Sequence, residues 1–199
     1  MIYIASPFFN PEQLAIVQQI EDVLEAAGVD YFSPRKEGVL KPDASTEERR
    51  QVFASNVDNI QSNCTLMIAV THYALSDKIC LAVTENGPVG QPSNILLKLN
   101  QPDTGTTFEI GAAYAAGIPL VAFHPAPQDK LNIMLANAFG GFAFSAHQMR
   151  QLIWKAEDAY GMIADTYISK VQEARTVLHE VVAACVDGGI LSPWEGKVQ

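Results

Sequence analysis

Asp103 and Glu109 flank a glycine turn in the stretch Asp103-Thr-Gly-Thr-Thr-Phe-Glu109-Ile-Gly111, just where an apolar helical pattern begins. Two carboxylates so placed suit displacement chemistry. A carboxylate in a first helical turn faces unsatisfied backbone N–H groups and the positive end of the helix dipole, so it tends to stay ionised and available as a nucleophile. The same residues also fit a purely structural device. Thr106-x-x-Glu109 matches a capping box, in which threonine caps the helix and glutamate reaches back to its N–H. Local pattern alone leaves both readings open.

The surrounding elements must position that turn. Ile2-Tyr-Ile-Ala5 is a short apolar run stopped by Ser6-Pro7, and Pro11 opens a helix whose apolar positions Leu14, Val17, Ile20, Val23 and Leu24 recur at helical spacing until Gly28. Val29–Phe32 reads as a second strand, Arg35 to Ser45 as a loop, and Thr46 to about Asn63 as a helix. Cys64–Val70 is a continuous apolar run, as expected of a parallel strand covered on both faces. Residues 71–102 break the pattern and read as an insertion, with Ile79–Val83 and Ile95–Leu99 as two strands joined by a turn at Glu85-Asn-Gly-Pro88. Leu120–Phe123 is a further buried strand. From His147 to Asp187 the apolar rows are helical, divided near Gly161 and ended by Gly188-Gly189. Alternating strand and helix predicts an α/β fold: an open, doubly wound parallel sheet of the flavodoxin or Rossmann kind, flanked by helices. Residues 1–146 form the main domain and 147–199 a helical extension. Ligands of such sheets bind beyond the carboxyl ends of the strands, where the Ser6-Pro7-Phe8 loop and the Asp103–Glu109 turn both fall.

Composition excludes several functions. The chain has 199 residues, enough for one sizeable core, and a formal net charge of -9 that opposes both a phosphate-tracking nucleic-acid surface and anionic membranes. Cys64, Cys80 and Cys185 are widely separated, fitting a reduced, cytoplasmic setting. His72, His124, His147 and His179 lack metal-binding spacing, so neither a metal nor a cofactor is expected. No secretion signal or run of about 18 apolar residues occurs.

Three motifs in order, Tyr3-Ile-Ala-Ser-Pro-Phe-Phe9, Asp103-x-Gly-Thr-x-Phe-Glu109-x-Gly-x-Ala and Leu131-Asn-Ile-Met-Leu135, resemble the nucleoside 2-deoxyribosyltransferase family over most of residues 1–145. The resemblance implies that Glu109 is the nucleophile. It would attack the anomeric carbon of a 2'-deoxynucleoside, release the base and hold the sugar as an ester until a second base displaces it, with net retention. Asp103 matches the aspartate that contacts the base and assists its protonation, and Tyr3 the tyrosine that orients the glutamate. Phe8 and Phe9 fall where relatives carry aromatics beside the nucleobase, and Gly105 and Met134 complete the substrate-binding set within their motifs. Asn132 matches an asparagine delivered from a neighbouring subunit, which implies a homo-oligomer with shared sites. Its alternative use is a helix N-cap.

One substrate-binding position departs from the pattern: Asn56 stands where relatives usually place an aspartate that takes part in substrate recognition, which alters charge and adds donors. Two other readings therefore remain. One is a hydrolase of 2'-deoxynucleosides or their 5'-monophosphates, for which the first loop is a poor phosphate cradle and Arg35 the remaining cation. The other is a nucleoside-binding module without catalysis.

Overall fold

A computed structural model describes residues 1–37, 39–71, 80–83, 93–96, 103–125, 131–160 and 170–195. Its core is a five-stranded, all-parallel sheet in the order β2-β1-β3-β6-β7, built from β1 (Ile2–Ala5), β2 (Tyr31–Phe32), β3 (Leu66–Val70), β6 (Leu120–Phe123) and β7 (Gly141–Ala143). Strand order reverses between β1 and β3, and this switch opens a crevice at their carboxyl ends. The α/β fold expected from the alternation is therefore present.

Alternation along each strand makes two cores. Ile2, Ile4, Ile68, Val121 and Phe123 face α1 (Pro11–Ala27), α6 (Ala146–Tyr160) and α7 (Val171–Asp187), through Val17, Leu24, Leu152, Ile153, Leu178 and Val182. Tyr3, Ala5, Met67, Ala69 and Ala122 face the other way, against Ile110 and Ala113 of α4 (Thr104–Ala115). The residues expected to form an extension thus pack α6 and α7 into the same core as α1.

Helix α1 begins and ends as its sequence dictates. Asn10 caps it by accepting from Gln13 N at 2.9 Å, Pro11 takes the first turn, and Gly28 closes it at φ 69°, a left-handed conformation that costs glycine little. β2 is shorter than the apolar run suggests, and the expected loop after it includes the short helix α2 (Pro34–Glu37). The next helix changes character: α3 (Thr46–Asp58), with a Ser45/Glu48 capping box, passes into a π-helical turn over Asn59–Asn63. β7 has no clear signal in the sequence, being three residues long and starting at a glycine. A Cβ at Gly141 would lie 2.9 Å from Val186 Cγ2, so α7 can pack this closely only against a bare backbone.

The 71–102 segment contains an antiparallel hairpin of β4 (Cys80–Val83) and β5 (Ser93–Leu96), the second strand starting earlier than expected. Ile79, the Glu85–Pro88 turn, His72 and Gly161 lie outside the described residues. Among the described residues, no helix is long and apolar enough to cross a membrane.

Candidate active site

The second residue of β1 points to the α4 side of the sheet. There the Tyr3 hydroxyl donates to Glu109 Oε1 at 2.7 Å, joining positions distant in sequence. Tyr3 is fully buried, and its ring stacks on Phe32 with centroids 5.3 Å apart and planes 27° from parallel. Register explains that partner, since Tyr3 and Phe32 are paired across β1 and β2. Phe32 was not anticipated: an aromatic at a strand end is visible in sequence, but its neighbour depends on pairing.

The helix start differs from the capping box that Thr106 and Glu109 suggest. Asp103 is the N-cap of α4, with Oδ2 accepting from Thr106 N at 2.8 Å and from Thr106 Oγ1 at 3.1 Å. Thr106 is therefore inside the helix, and Glu109 lies in its second turn, facing Tyr3 rather than the terminal N–H groups. Gly105 keeps the cap open, because a Cβ there would sit 3.1 Å from Asp103 Oδ2.

This placement reverses the expectation about charge. Burial pushes the half-buried Glu109 carboxyl up to about 7, the Asp103 charge pushes the same way, and the Tyr3 hydrogen bond only partly offsets them. Burial, and then Glu109 itself, raises the Tyr3 phenol well above its ordinary value, so Tyr3 stays a donor at all relevant pH. A carboxylate poised near neutrality beside a fixed donor suits a group that must act ionised yet is poorly solvated.

The remaining candidates each have a setting of their own. Asn56, half-buried, shares with Phe32 the wall of a cavity of about 300 Å³, also lined by Glu37, Leu40, Gln51 and Val52. Phe8 and Phe9 follow β1 with their rings 5.1 Å apart, and Phe9 is largely exposed. A second aromatic pair, Phe53 on α3 and Phe108 beside Glu109, stands 5.7 Å apart and exposed; the sequence had not singled it out. Asn132 caps the short helix α5 (Ile133–Ala136), accepting from Met134 N at 2.9 Å, and both Asn132 and Met134 are exposed. Arg35 is committed elsewhere. Its guanidinium pairs with the buried Glu21 carboxylate, with Nε 2.7 Å from Oε1, and also bonds Gln18. Among the described residues, no cluster of His, Cys, Asp and Glu could hold a metal ion.

Comparison with known proteins follows the same lines. The sequence model of the nucleoside 2-deoxyribosyltransferase family matches residues 2–82. A solved 2-deoxyribosyltransferase from the psychrotolerant bacterium Bacillus psychrosaccharolyticus is 27% identical, with 75% of this chain and 89% of that one covered and a TM-score of 0.55. A CMP N-glycosidase from Clostridium botulinum is 15% identical, with 76% and 96% covered and a TM-score of 0.42. No curated protein matches the chain. Sequence model and solved fold agree: the family this chain resembles is that of the nucleoside 2-deoxyribosyltransferases.

Proposed function

We propose that this protein is an enzyme acting on the N-glycosidic bonds of nucleosides, and that it transfers 2-deoxyribose from one nucleobase to another. The observation that carries the reading is the 2.7 Å hydrogen bond between Tyr3 and Glu109 at the sheet's switch point, with Asp103 on the same helix start. In the first step a Glu109 oxygen forms a bond to C1' of the deoxynucleoside. The C1'–N bond breaks, its electron pair goes to the base nitrogen, and Asp103 assists proton delivery there. In the second step a ring nitrogen of the incoming base attacks C1' from the vacated face, expels the Glu109 carboxylate and loses its proton. Two inversions give net retention.

The transition state has oxocarbenium character, which a nearby carboxylate stabilises. A sugar without an electron-withdrawing 2'-hydroxyl reaches it more easily. Hydrolysis would use water in the second step; the 5'-monophosphate version is less well supported, because Glu21 and Gln18 occupy Arg35.

Incubation with deoxyinosine or thymidine plus adenine, followed by chromatography, tests the proposal. New deoxyadenosine supports transfer; free base with deoxyribose means hydrolysis instead; unchanged substrates count against both.

Tyr3→Phe should lower kcat/KM by roughly 10- to 100-fold, the value of one hydrogen bond to a charged group. That bond lowers the Glu109 pKa, so its loss should also move the acidic limb of the pH–rate profile upward. A profile with an unmoved limb would separate Tyr3 from Glu109 chemistry.

The exposed Asn132 and Met134 fit a site completed by a neighbouring copy. Asn132→Ala and Glu109→Ala chains should each be nearly inactive, yet mixing them should restore part of the activity, because some sites then combine an intact Glu109 with an intact Asn132. Mixed oligomers that remain inactive would exclude shared sites.

A further inference from the structure

The cavity lined by Phe32, whose ring stacks on Tyr3, carries polar side chains on its wall. Two of its five polar side chains are already engaged: the Glu48 carboxylate accepts from Ser45 N and Oγ, both at 2.7 Å, and the Gln51 amide donates to Glu47 at 3.2 Å. The nearby cations are engaged too. Arg35 pairs with Glu21, and Lys36 with Glu25 at 2.6 Å. Glu37, Ser55 and Asn56 remain as polar heads on the cavity wall, with Phe32 as its aromatic surface.

These heads differ in what they can accept. The Glu37 carboxylate offers acceptors, at any rotamer, whereas the Ser55 hydroxyl and the Asn56 amide both donate and accept. A base edge that pairs an exocyclic amino group with an adjacent unprotonated ring nitrogen, as in cytosine and adenine, satisfies both: amino to carboxylate, ring nitrogen to amide N–H. The oxo edge of uracil or hypoxanthine presents a carbonyl and a ring N–H. The amide can turn over to suit that edge, but the carboxylate would face a carbonyl oxygen and lose its partner.

We propose, resting on the transfer reading above, that this cavity selects amino-bearing nucleobases over their oxo counterparts, with Glu37 as the residue that discriminates. Its aromatic and apolar surface suits a planar uncharged ring, and its uncommitted carboxylate disfavours a phosphate.

The test uses matched acceptors that differ only at that edge: cytosine against uracil, and adenine against hypoxanthine, each with the same deoxynucleoside donor. The amino member of each pair should be used with a kcat/KM at least about tenfold higher, and Glu37→Gln should bring both ratios to within about threefold by giving the wall a group that can turn over. Equal use within each pair, or a preference unchanged in Glu37→Gln, would overturn the assignment while leaving transfer intact. Absence of exchange with all four bases would instead count against transfer. In that case calorimetric titration of the four free bases reads the preference directly, and equal binding within pairs would overturn it.

Discussion

Under the transfer reading, Glu109→Ala should reduce base exchange by at least about a thousandfold, because Glu109 is the carboxylate that the Tyr3 hydroxyl holds and the group proposed to bond C1'. Glu109→Gln should be as inactive, since an amide neither attacks nor leaves as a carboxylate does. The two forms of Glu109 in the unaltered protein give a second readout. With its pKa at about 7, activity should rise with pH through neutrality as a single group loses its proton. Stability should move in the opposite direction. The folded chain holds that proton more tightly than the unfolded chain, whose carboxyl has the ordinary value of 4.5, so the stabilisation is complete below about pH 4.5 and is lost as pH rises through 7. Glu109→Gln, neutral throughout, should therefore melt above the parent at pH 8 and approach it at pH 5. A thermal scan in which the parent is the more stable at pH 8 would contradict the burial of an ionised Glu109.

Arg175→Met should destabilise the fold by about 3–5 kcal/mol, a lowering of Tm by roughly 10 °C. Arg175 is almost fully buried on α7, and its guanidinium caps carbonyls rather than carboxylates: Nε to Cys64 O at 2.9 Å, Nη2 to Gln61 O at 2.9 Å and Ile60 O at 3.4 Å, and Nη1 to Ala116 O at 3.3 Å. Those carbonyls end the π-helical turn and α4, where a cation also meets the negative ends of two helix dipoles. Burial lowers the Arg175 pKa from its ordinary value. Methionine fills comparable space but leaves the carbonyls without donors, and that is the source of the loss. A melting temperature within a degree or two of the parent would show that water replaces the guanidinium without cost.

Much of the fold was legible because it is written locally. Asn10, Pro11 and Gly28 bound α1 through their own backbone preferences, and Leu66–Val70 is apolar on both faces because it is covered on both. What the sequence left open was decided by distant partners. Asp103 and Thr106 are both good N-cap residues three positions apart, and propensity cannot choose between them; the choice moves Glu109 from the first turn to the second and reverses its charge behaviour. The motifs drew Tyr3, Asp103 and Glu109 together only through a family resemblance, whereas Phe32 depends on strand register. Arg175 left no signal, since an arginine in a periodic helix ordinarily reads as part of a solvated face.

Arg175 follows all of its carbonyl partners in sequence, and that order also sets events in time. Its partners at Ile60–Cys64 and Ala116 are synthesised long before it, and they support the amino-terminal ends of β3 and β6, opposite the crevice. A nascent chain can pair β1 with β3, but the floor beneath those strands stays uncapped until α7 leaves the ribosome. Fragments truncated before residue 175 should therefore be trimmed by proteases at the α3–β3 junction, so that the domain reaches its working form only once α7 has been made.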